Sequence, residues 1–169
     1  MRIGEAMMSY MPRVFLWLAF GLLSALPASP LALAQSTRGD STWAALDVTA
    51  AINTAIEKSK DGTELREKVV RRFSECSLMY GGLSTLASNA EAKKNYVEAQ
   101  AATMEIESSL ARPLERTRRL QLEEAARISV ATILRSMGLH GDKEVGPLLR
   151  QCKAINDLKE INNALRELQ

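Results

Sequence analysis

The chain has 169 residues, 22 Lys and Arg against 20 Asp and Glu, one histidine and two cysteines. A net charge of +2 creates no strong field towards nucleic acid or an anionic membrane. A lone histidine leaves serine or cysteine nucleophilic catalysis almost without its usual base, and phosphate loops, calcium loops and dinucleotide fingerprints are missing from the sequence.

Residues 1–34 read as a cleaved secretory leader. Arg13 precedes an apolar run from Val14 to Leu26, Pro27 and Pro30 follow, and Ala32-Leu33-Ala34 supplies a small-residue cleavage site. The run is about 13 residues, short of the roughly 18 to 20 that cross a bilayer as a helix, so no transmembrane anchor is expected. Met7, Met8 and Met11 are alternative starts. Removing this segment takes away Arg2, Glu5 and Arg13, and the mature part, destined for the periplasm or secretion, is close to neutral. Residues 35–41 (QSTRGDS) form a polar, flexible leader, and residues 42–169 fit a single domain.

Within that domain apolar residues recur with helical spacing. A first helix runs from Thr42 to Lys60 through Trp43, Leu46, Val48, Ile52 and Ile56, and Asp61-Gly62 ends it. A second spans Thr63 to about Ser88, with Leu65, Val69, Phe73, Cys76, Tyr80 and Leu83 on one face. Gly81-Gly82 inside it weakens a helix by about 1 kcal/mol per glycine, which close approach of a neighbouring helix would explain. Asn89 caps a third helix carrying Tyr96, Thr103, Ile106 and Leu110 inward. Pro113 forces a break or kink near Arg112. A fourth helix then presents Leu114, Ala125, Ile128, Val130 or Ile133, and Met137, with Gly138 as its stop. From Pro147 a final stripe of Leu148, Cys152, Ile155, Leu158, Ile161, Leu165 and Leu168 continues almost to the terminus. No stretch alternates with a period of two, so the expected fold is all-α, an up-and-down bundle of four to five helices.

Cys76 and Cys152 both fall on apolar faces and, after export, in an oxidising compartment, so they are expected to form one inter-helix disulfide. Closing a loop of about 75 residues contributes roughly 4.5 kcal/mol in the chain-entropy treatment. The absence of Cys-x-x-Cys excludes a thioredoxin-like site, and the absence of Cys-x-x-Cys-His excludes covalent c-type haem. His140 beside Gly141 reads as an exposed turn residue with no Glu three before it, so neither a metal nor a cofactor is expected.

Two basic clusters, Arg71-Arg72 and Arg116, Arg118 and Arg119, are interleaved with Glu67, Glu75, Glu115, Glu123 and Glu124. Exposed helix faces with i, i+4 pairing account for them, and docking of an acidic partner is the sharper alternative. Glu107-Ser108 in the segment MEIESSLARP is similar to the Glu-Ser that carries the catalytic acid of lytic transglycosylases. The similarity covers only those few residues, and the Gly-Leu-Met-Gln stretch of that family has no counterpart, so Glu107 is read as a surface residue. The sequence therefore points to an exported, non-enzymatic helical protein that binds an unidentified protein or envelope component in the periplasm. In size and cysteine count alone it also resembles small acid-activated periplasmic chaperones, and a cell-wall hydrolase acting through Glu107 ranks last.

Overall fold

A computed structural model describes residues 40–140 and 145–169. The leader assigned to residues 1–34, the polar segment up to Gly39, and the side chains of Trp43, Met137 and His140 lie outside the described residues. Six helices follow in order: α1 (Asp40–Lys58), α2 (Gly62–Leu86), α3 (Ala90–Ala111), α4 (Arg116–His140), α5 (Val145–Asn156) and α6 (Ile161–Leu168). No strand occurs among the described residues.

Local chemistry sets most boundaries. The α1–α2 reversal turns on Gly62, where a Cβ would stand 2.7 Å from the carbonyl oxygen of Ile56. Asn89 caps α3, its Oδ1 accepting from the Glu91 amide at 2.8 Å. Pro113 lies in the turn between α3 and α4, so these are two helices rather than one kinked rod.

Other boundaries depart from the sequence reading. Gly138 does not stop α4, which continues to His140, and His140 is therefore a helical residue instead of a turn residue. The expected last helix is two: after Asn156 the Asp157 carboxylate accepts from the Lys159 amide at 2.8 Å, and α6 starts at Ile161. That aspartate turn offers the backbone a hydrogen bond competing with helix continuation, and it leaves Leu158 51% exposed, off the inner stripe. On α4 the buried residues are Leu122, Ala126 and Val130, while Ile128, expected inside, is 61% exposed.

α2 is the hub of the bundle. Gly81 faces Gln100, Ser74 bonds Glu107 and Arg66 reaches the carbonyl of Leu110, which fixes α3 antiparallel to α2. Arg118 meets Glu67 and Leu134 meets Gly82, which fixes α4 parallel to α2. Both glycines expected to admit a neighbour do so: a Cβ at Gly82 would fall 2.6 Å from Leu134 Cδ1, and one at Gly81 2.7 Å from Gln100 Nε2. The core has two parts. One gathers Val48, Ile52, Val69, Phe73, Ile106 and Leu110 with Ile155, Ile161 and Leu165 of the last two helices. The other holds Met79, Tyr80, Leu83, Val130 and Leu148 around Cys76 and Cys152. These cysteines are bonded, fully buried, with Cα atoms 5.5 Å apart, and join α2 to α5.

Candidate functional site

The two basic clusters meet different fates. Arg71 and Arg72 turn onto one residue of their own helix, Glu75, whose carboxylate lies 3.3 Å from Arg71 Nε and 3.0 Å from Arg72 Nη1. Glu75 is 4% exposed, so these cations are needed where they stand, since an unpaired buried carboxylate is costly. Arg118 spans from α4 to α2 as a bidentate pair, its Nε 2.8 Å from Glu67 Oε1. That contact first, and the arginine's charge besides, holds the Glu67 carboxyl below its ordinary range. Arg119 is half-buried, and its Nε lacks a hydrogen-bond partner among the described residues. Arg116 is exposed and carries no ion pair among the described residues. The expected i, i+4 pairing thus describes Arg71, with Arg72 pairing at i, i+3 and Arg118 across helices. Arg116 and Arg119 are left without anionic partners among the described residues.

Glu107 is not the surface residue the sequence suggested. It is half-buried, and Ser74 Oγ, itself 3% exposed on α2, donates to its carboxylate. Burial pushes its pKa up, the serine bond lowers it, and the charge of Glu123 on α4 raises it further, so the net shift is upward. Such a shift is one requirement of a general acid. Neither the cleft at the α1–α2 turn nor the one beside Arg72 and Ile155 reaches it, however. Ser74 was not legible in the sequence: Arg72, Glu75 and Ser77 surround it there, and only the packing of α3 against α2 buries its hydroxyl and gives it Glu107 as acceptor.

A cleft of about 370 Å³ sits at the α1–α2 turn and is lined by Lys58, Lys60, Asp61, Glu64, Lys68 and Gln169 among others. Lys68 there is tied down, its Nζ 2.9 Å from Glu64 and 3.2 Å from the Gln169 carbonyl oxygen. In the interior, Thr103 is fully buried, donates to the Ala99 carbonyl and accepts from Asn156 Nδ2 at 3.3 Å, while Tyr80 stacks on Tyr96 at 6.4 Å. Burial, and secondarily Tyr96, pushes the Tyr80 hydroxyl above its ordinary pKa, so it stays a neutral core residue. Among the described residues no group of three or more His, Cys, Asp or Glu is placed to hold a metal ion, and no helix is long and apolar enough to cross a membrane.

No family model, curated protein or solved structure matches the chain.

Proposed function

We propose that this is an exported, non-enzymatic helical protein that binds a protein or envelope component in the periplasm. Export is supported by the leader pattern of residues 1–34 together with the buried Cys76–Cys152 bond, because such bonds persist in oxidising compartments. The observation that carries binding is on α4, where Arg116 stands exposed without an anionic partner among the described residues and Leu120 and Ile128 are 55% and 61% exposed. Crosslinking followed by affinity capture from the envelope fraction tests the reading. It expects one recurrent partner and a mature N-terminus at Gln35; protein retained in the cytoplasm with its leader attached would remove it.

An acid-responsive chaperone is the second reading, favoured by the upward-shifted carboxyl of Glu107 between α2 and α3. It expects suppression of client aggregation at low pH, and no suppression at an equimolar ratio would count against it. Muralytic activity abolished by Glu107→Gln would instead restore the hydrolase reading.

A further inference from the structure

α5 and α6 are held differently from the other helices. α2 packs far more extensively along α3 and α4 than α5 or α6 packs against the rest of the bundle. Polar side chains also lace those three long helices together: Arg66 reaches the Leu110 carbonyl, Ser74 reaches Glu107, and Arg118 reaches Glu67. No ion pair joins α5 or α6 to another helix among the described residues. Asn156, at the end of α5, donates to Thr103 at 3.3 Å, but its Oδ1 is buried without a hydrogen-bond partner among the described residues. That oxygen regains its hydrogen bonds in water when α5 lifts away, which favours opening. Against opening stand Ile155, Ile161 and Leu165, which share a core cluster with Ile52 and Phe73, and the covalent bond from Cys152 to Cys76.

We propose that the Cys76–Cys152 bond is a redox latch: its reduction by a dithiol lets the α5–α6 pair lift off an α1–α4 body that stays folded, uncovering the apolar surface around Ile52 and Phe73. The latch is independent of the partner-binding reading. A thiolate of the dithiol attacks one sulfur of the bond, and the other cysteine leaves as a thiolate and takes up a proton. The dithiol's second sulfur then displaces the first cysteine, so the protein gains two electrons and two protons while the dithiol becomes a disulfide. Both cysteines are fully buried, so this exchange waits on local opening of the α5–α6 pair rather than on collision with the closed fold. While α1–α4 stay folded, the chain that opening frees runs from the end of α4 at His140 to Cys152, about 12 residues. Closing a segment of that length holds back opening by about a hundredfold, which reduction removes. In an oxidising compartment the latch rests closed.

Hydrogen–deuterium exchange on the full chain, before and after reduction with excess dithiothreitol, tests this, with helix-by-helix protection read by mass spectrometry. The expected result is exchange about a hundredfold faster in α5 and α6, with protection in α2 and α3 retained. Cys76→Ala with Cys152→Ala should give the same pattern without reductant. Equal loss of protection in all helices overturns the proposal, because the bundle then opens as one unit. Unchanged protection in α5 and α6 once both thiols are free also overturns it, as does a bond that dithiothreitol leaves intact in the folded protein.

Discussion

A half-buried carboxylate whose one side-chain hydrogen bond among the described residues comes from a neutral serine is worse off in the fold than in water, and Glu107 is that residue. Its folded pKa lies above the ordinary 4.5, so the stability tied to its proton is fully present below that value and is lost as pH rises through the folded pKa. Glu107→Gln keeps the hydrogen-bonding shape without the charge. It should raise the melting temperature at pH 7 and reduce the fall in stability above pH 4.5; a lower melting temperature at pH 7 would refute this account of the residue. Glu67 has the opposite sign. Held down by Arg118, it contributes stability above 4.5 that is lost as pH falls through its lowered folded value. Glu67→Gln should therefore leave acid stability unchanged and cost a few tenths of a kcal/mol at neutral pH, since the pair is partly exposed and salt-screened. Denaturant melts of this variant at two pH values measure it.

Each helix was legible where side-chain period and terminal chemistry agreed, and misread where a short-range hydrogen bond competed with the period or where apolar residues lay all round the helix. The α2 stripe and the Asn89 cap were plain in the sequence because Leu65 to Leu83 repeat every three or four residues and asparagine precedes the run. Asn89→Ala should cost about 1 kcal/mol in chemical denaturation. The Asp157 break was hidden because Leu158 kept the apolar period in register, and only the carboxylate contact to Lys159 reveals the turn. The inner face of α4 was misassigned because apolar residues surround that helix, and its contacts with α2, not its own pattern, decide that Val130 rather than Ile128 is buried. Gly62 and Gly81 separate two costs. Gly62→Ala drives a methyl into the Ile56 carbonyl, a backbone atom that has little room to move, and should cost about 1–3 kcal/mol. Gly81→Ala meets only the mobile end of Gln100 and gains up to about 1 kcal/mol of helix propensity, so its melting temperature should hold or rise.

At the scale of the whole molecule, the last two helices carry little of the chain but join both parts of the core, with Leu148 and Cys152 in one and Ile155, Ile161 and Leu165 in the other. The Cys76–Cys152 bond ties them to α2 across 76 residues of sequence and so removes much of the unfolded chain's freedom. Replacing both cysteines by alanine should cost roughly 4.5 kcal/mol, a large share of the usual margin of about 5–15 kcal/mol, seen as a lower urea midpoint. Pairing of the two cysteines was legible from the apolar helix faces that carry them. The site was far less so, because Ser74, Glu107 and the outward face of α4 acquire meaning only through which helices adjoin them. The account depends most on that covalent tie. Thiol titration of the protein, purified without reductant and denatured, tests it directly: no reactive thiol before reduction and two afterwards is the predicted result, and two reactive thiols from the outset would contradict it.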